Sequence, residues 1–242
     1  MKQTVLIMGA SGDIGGAIAR NLAEAGYSLI LHYNRNEHAV KQLTEYLYET
    51  FNGEYFLFQA DFNDPYHVAE RVKQLPISPD IVIYNSGASH VGLITDVNKE
   101  EVIEQINIGL TSPFFITQSI LPHMIQKKKG KIIVVSSVWG LTGASCEVLY
   151  SMIKGGMNTF VKALAKEVAI SGIQVNAVAP GAIDTKMLAH YTAEEINDLE
   201  ADIPAGRLGY PEEVAHLVTF LCSSRAEYIN GQVISVNGAW YT

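Results

Sequence analysis

Seven short apolar runs, separated by longer stretches of helical period, restrict this chain to one kind of architecture. The runs cover positions 5–8, 29–33, 55–59, 81–84, 132–136, 175–179 and 233–236. Most are apolar on both faces, as strands must be when helices cover them above and below. The helical patterns between them cover 14–25, 39–49, 68–74, 102–126, 150–169 and 211–221. Strands alternating with helices in this way predict an open, doubly wound parallel sheet of α/β class, with seven strands and helices on both faces. Glycine and proline punctuate the element ends at Gly26, Gly53, Pro65, Gly130, Gly172, Pro180-Gly181 and Pro211. No repeat, low-complexity tract or linker divides the pattern, so one domain over residues 1–242 is expected.

Composition narrows the classes of function. With 48% apolar and 17% charged residues the chain is globular. A net charge of −8 without a basic stripe argues against nucleic acid as a partner. The local exception is Lys127, Lys128, Lys129 and Lys131, read either as a solvated helix end or as a docking patch for an acidic macromolecule. Two distant cysteines, Cys146 and Cys222, show no metal-ligand spacing and suit a reducing compartment. The apolar start runs directly into glycines and reads as a first strand, not a signal peptide. No apolar stretch reaches the ~18 residues that a membrane span needs, so a cytoplasmic protein without metal or membrane contact is expected.

Five pieces carry chemistry. Gly9-Ala10-Ser11-Gly12-Asp13-Ile14-Gly15 lies between the first strand and the first helix, where glycines let the backbone approach a pyrophosphate and the helix end supplies amide donors. Tyr150 and Lys154 are four apart on one helix face, so an ammonium there would draw the phenol down from its usual pKa of ~10 and make it a usable acid or base. Ser137 follows the strand at 132–136, at the sheet end where ligands bind in open α/β sheets, and can hold a carbonyl oxygen. Asn85-Ser86-Gly87 ends another strand. Asn107 is a polar residue in a largely apolar helix, and a hydrogen-bonded buried amide is the plain alternative to a catalytic role.

Together these pieces resemble the short-chain dehydrogenase/reductase family, with its Rossmann-type fold, along essentially the whole chain. The resemblance implies a catalytic tetrad of Asn107, Ser137, Tyr150 and Lys154. It places Asp61 and Phe62 beside the adenine, makes Asn85-Ser86-Gly87 the counterpart of the family's Asn-Ala-Gly motif, and sets Pro180, Gly181, Ile183 and Thr185 over the nicotinamide. Gly9, Ser11, Asp13, Ile14 and Gly15 would line the phosphates, and Tyr150 and Lys154 would also touch the nicotinamide ribose. The family's glycine motif reads Gly-x3-Gly-x-Gly, and its second glycine is Asp13 here, a carboxylate beside a pyrophosphate.

Cofactor choice follows from the second strand. NAD-specific relatives place an Asp at its end, whereas this chain has Tyr33, followed by Asn34 and Arg35, which suits a ribose phosphate. NADP is expected over NAD, although the basic residue that NADP-preferring relatives often carry inside the glycine loop is replaced by Gly12. Within the family the chain looks most like the 3-oxoacyl-acyl-carrier-protein reductases. The segments 85–90 and 139–150 further resemble reductases of the 5-aminopentanone group on elongation factor P. Either carrier is an acidic protein. Trp139, Cys146 and Glu147 are the candidate substrate residues beside Ser137 and Tyr150; Glu147 can receive a terminal ammonium, or can be a solvated loop charge. Ser171 stands where many acyl-carrier-protein reductases carry a basic docking residue. Apolar residues on more than one face of two helices, Ile108, Phe114, Phe115, Met157, Phe160, Val161 and Leu164, predict a homotetramer. A non-catalytic dinucleotide-binding sensor or scaffold is the alternative from another class.

Overall fold

A computed structural model describes residues 2–87, 91–189 and 191–242. β1 (Thr4–Met8), β2 (Ser28–Tyr33), β3 (Tyr55–Gln59), β4 (Ile81–Tyr84), β5 (Gly130–Val135), β6 (Ile173–Pro180) and β7 (Val233–Val236) pair in parallel in the order β3-β2-β1-β4-β5-β6-β7. Alternate side chains of the strands enter two separate cores. Val5 and Ile7 of β1 face one core, Leu6 and Met8 the other, which is why the strand is apolar at every position from Val5 to Met8. The first core is closed by α1 (Asp13–Glu24), α2 (Glu37–Thr50) and α9 (Pro211–Cys222). The second is closed by α3 (Pro65–Lys73), α5 (Ser112–Lys127) and α7 (Val148–Val168). The chain winds outward from β1 to β3, then returns to β4 on the other side of β1. The carboxyl ends of β1 and β4 therefore open onto a crevice at the switch point.

Local chemistry sets the helix starts. Asn36 accepts a hydrogen bond from the Ala39 amide at 3.2 Å, and Asp64, with Pro65 next, accepts from the His67 amide at 3.0 Å. The helical pattern at 102–126 resolves into α4 (Lys99–Ile106), a π-helical turn at Asn107–Thr111, and α5. Two further helices escape the apolar pattern. α6 (Trp139–Thr142) is a single turn, and α8 (Ala193–Asp202) buries no residue and so has no apolar stripe to read. Its only sequence signal is the Thr192/Glu195 capping box.

The lysine cluster is not one exposed patch. Lys131 is buried and its ammonium donates to the Leu221 and Ser223 carbonyls at 3.1 and 2.8 Å, capping the end of α9. Lys127 pairs with Asp80 at 3.0 Å, and Lys128 closes α5 in a left-handed conformation. The apolar faces of the two helices are not all open to a neighbour. Met157, Val161 and Leu164 belong to the chain's own second core, because α7 packs on the sheet, so they leave no face for a neighbour. Phe114 remains exposed, together with Ile103 and Met152. Among the described residues no helix is long and apolar enough to cross a membrane.

Candidate active site

The turn after β1 forms the first wall of the crevice. Gly9 sits at φ +73°, where L side chains are rare, and a Cβ added there would meet Ser86 Oγ at 3.0 Å. A Cβ on Gly15 would collide with the Gly9 carbonyl, so α1 can leave the turn this closely only with glycine at that position. Asn85 Nδ2 donates to the same carbonyl at 3.1 Å, tying the end of β4 to the turn. Ser86 Oγ is buried with no partner among the described residues. A backbone cradle and a free helix N-terminus fit a dinucleotide pyrophosphate, and the unsatisfied hydroxyl beside them offers the cofactor a further polar contact. The Asp13 carboxylate accepts from the Lys186 amide at 2.8 Å.

After β3, Asp61 is exposed and accepts from Asn34 Nδ2 at 3.3 Å and from the Asn63 amide at 2.9 Å. Phe62 is buried, and its ring stacks on His32 at 4.2 Å. Arg35 lies exposed in the turn after β2. Opposite, the Gly181 amide donates to the Val236 carbonyl at 2.9 Å, Ile183 is buried, and Thr185 begins a short 3-10 turn at Lys186–Leu188.

Ser137, Tyr150 and Lys154 converge at the ends of β5 and α7. Ser137 is buried, hydrogen-bonds Tyr150, and accepts from the Trp139 amide at 3.2 Å. Burial pushes the Tyr150 phenol up to about 12; the Ser137 hydrogen bond pulls it down and the Glu147 carboxylate pushes it further up. This is opposite to the lowering expected from Lys154. The ammonium lies 5.4 Å from the Tyr150 ring centroid but donates to the Val135 carbonyl at 2.9 Å, and burial pulls Lys154 itself down to about 8. Asn107, in the π-helical turn, spends its amide on Asn63, donating to its backbone and side-chain oxygens at 3.2 Å each. A cavity of ≈ 20 Å³ is bounded by Tyr150, Lys154, Gly87, Ile108 and Gly109, beside the close contact of Gly109 with Ile153 of α7.

Glu147 is half-buried, close enough to act on both Tyr150 and Tyr191. Cys146 takes a left-handed conformation at φ +62°, and its carbonyl accepts from the Gly92 amide at 2.8 Å. Trp139 packs against Trp240 and Tyr241 with ring centroids 5.0 and 5.3 Å away. Ala88, Ser89 and His90 of the 85–90 segment fall outside the described residues.

Four contributors were missed in the sequence. Asn63, Lys186 and the Trp240-Tyr241 tail gave no periodic or motif signal. His32 gave one, as a polar residue breaking the apolar run at 29–33. Its Nδ1 accepts from the Gly9 amide at 3.0 Å and its Nε2 donates to the Ala60 carbonyl at 3.1 Å, so one neutral ring ties the glycine turn to the segment after β3. Burial pulls His32 down to about 4 from 6.5. The unfolded chain therefore takes up this proton first as pH falls. Stability present above pH 6.5 is lost between 6.5 and 4, by about 3 kcal/mol for this group. Urea midpoints compared between wild type and His32→Gln should diverge at pH 7 and approach each other towards pH 4. A constant gap would contradict the assignment.

Comparison with known proteins places this geometry. Residues 9–240 match the family model described as enoyl-(acyl carrier protein) reductase. The uncharacterized oxidoreductase YmfI of Bacillus subtilis (strain 168) is 49% identical over 242 residues, covering all of both chains. The 3-oxoacyl-[acyl-carrier-protein] reductase FabG of Aquifex aeolicus is 37% identical, over 98% of this chain and 96% of its own. Among solved structures, a 3-oxoacyl-[acyl-carrier protein] reductase from Brucella melitensis superposes with a TM-score of 0.93 at 29% identity, covering 99% of this chain and 91% of that one.

Proposed function

Because the chain belongs to the short-chain dehydrogenase/reductase family, an NAD(P)-dependent group of oxidoreductases, we propose that it is an NADPH-dependent reductase of a ketone that carries a cationic amine, the 5-aminopentanone group on elongation factor P. The observation that carries the substrate reading is Glu147, half-buried within electrostatic reach of the Tyr150 phenol. A carboxylate so placed disfavours the phenolate. An ammonium bound beside it cancels that effect, so the acid strengthens when a cationic substrate arrives. The preference for NADPH rests on Tyr33 where an acid would bind the ribose, and on the exposed Arg35 two residues on.

The bound cofactor supplies a hydride for the carbonyl carbon. Gly9, Ser11, Ile14 and Gly15 would hold its phosphates, Asn34 and Arg35 the ribose phosphate, and Asp61 and Phe62 the adenine end. Asn85, Ser86, Gly87, Pro180, Gly181, Ile183 and Thr185 would enclose the nicotinamide end. Tyr150, protonated throughout the physiological range because burial holds it at about 12, gives its proton to the carbonyl oxygen as charge develops there. Ser137 donates a hydrogen bond to the same oxygen. Lys154, at about 8, holds a proton it can release near neutral pH and so restores the phenol. The cavity under the Asn107 turn is of single-water size, which suits a relay from Lys154 outward. Trp139 and Cys146 shape the mouth. The chain acts as one cytoplasmic domain and assembles as a homotetramer through the exposed Ile103, Phe114 and Met152.

A second reading is favoured by the relatives named 3-oxoacyl-[acyl-carrier-protein] reductase: reduction of a 3-oxoacyl thioester on acyl-carrier protein. Oxidation of NADPH and of NADH is measured with acetoacetyl thioester and with aminopentanone-modified elongation factor P. Turnover of the modified factor with NADPH is the expected result; turnover of the thioester alone replaces the first reading with the second. Glu147→Gln sharpens the test. It should raise KM for the aminated ketone ~5–10-fold, the value of one partly desolvated charge pair, and leave the neutral thioester unchanged. Equal impairment of both would make Glu147 structural.

A further inference from the structure

We propose that Asp13 is a positioning residue that straps the loop at 181–188 to the glycine turn, holding the two walls of the crevice together before cofactor enters. The inference rests on the reading of these two segments as the cofactor cleft. Asp13 is the first residue of α1 and stands where the family pattern has glycine. A carboxylate facing the phosphates would repel them. Its Oδ2 instead accepts from the Lys186 amide at 2.8 Å, across 173 residues of sequence, and its Oδ1 lies 3.9 Å from Lys186 Nζ.

The two contacts are unequal. The Lys186 side chain is 87% exposed and its ion pair is long, so the charge contact contributes little. The amide bond is short, charge-assisted and fixed in direction, and it anchors the backbone between Thr185 and Met187. On the inner side the loop is already fastened, because Ile183 is buried and forms a bridge with Gly209, and the Asp184 amide donates to the Gly209 carbonyl at 2.8 Å. Asp13 supplies the outer fastening, next to Thr185. Together Asp13 and Lys186 line a groove with Ser11, Gly12, Gly16 and Arg20, so the strap spans the phosphate side of the cleft.

A backbone held in this way resists proteolysis at Lys186 even though the side chain is exposed, because cleavage requires the segment to open locally. Cofactor-free, full-length protein is digested with trypsin, and cleavage after Lys186 is read by mass spectrometry against cleavage after Lys99. Asp13→Gly removes the acceptor and restores the family's residue. It should raise relative cleavage after Lys186 by ~tenfold or more. Asp13→Asn keeps an acceptor for the amide and should stay within ~threefold of wild type. NADPH titration should follow the same order, with Asp13→Gly binding more weakly and Asp13→Asn close to wild type. Equal cleavage of wild type and Asp13→Gly, at matched thermal stability, overturns the strap. So does Asp13→Asn cleaved as fast as Asp13→Gly. If no variant binds either nicotinamide cofactor, the cofactor reading fails, while the digestion still decides the strap.

Discussion

Tyr150→Phe is expected to lower ketone turnover by ~10²–10⁴-fold with cofactor affinity retained. The substitution removes one oxygen and keeps the ring that packs near Lys154. Ser137 loses its hydrogen-bond partner, but its hydroxyl still accepts from the Trp139 amide, so the loop after β5 should hold its shape. The reaction loses its proton donor. Lys154 is not placed to replace it, because it points its ammonium at the Val135 carbonyl. Steady-state turnover and NADPH titration on the same preparation check the split. Near-normal turnover would remove Tyr150 from the mechanism.

Lys154→Met should abolish turnover, by ~10²-fold or more, while making the protein more stable. Burial pulls the Lys154 ammonium down to about 8 from 10.5, so its charged form is disfavoured in the folded state by about 3 kcal/mol at neutral pH. The substitution also removes the donor to the Val135 carbonyl, which costs about 1–2 kcal/mol. The desolvation effect is the larger, leaving a gain of about 1–2 kcal/mol and a rise in Tm of ~2–8 °C. The sign can be tested by pH. The penalty on wild type is complete below pH 8 and fades as pH rises towards 10.5, while the lost Val135 hydrogen bond still counts against the variant, so the advantage of Lys154→Met should shrink and then reverse over that range. A lower Tm for Lys154→Met at pH 7 would show that the Val135 hydrogen bond outweighs the buried charge.

What the sequence determined by itself is the frame and most of the residues that meet at the candidate site. Strands apolar on both faces require helices on both sides of a parallel sheet, and motif residues at strand ends then face one crevice by topology alone. Ser137, Tyr150 and Lys154 could be named together because a helix places residues four apart on one face and a strand end is fixed by its apolar run. The rest depended on contacts between residues distant in the chain, which no local pattern encodes. Burial set the protonation of Tyr150 and Lys154, reversing the direction expected for the phenol, because the field of a charge depends on where its ammonium points. Lys131 was drawn out of a basic run to cap a helix 90 residues away. Asp13 stood as an anomaly in its motif until the fold brought Lys186 within reach of its carboxylate. Local periodicity fixes which face a side chain occupies; only the packed chain decides what that side chain meets and, through desolvation and hydrogen bonding, which protonation state it keeps.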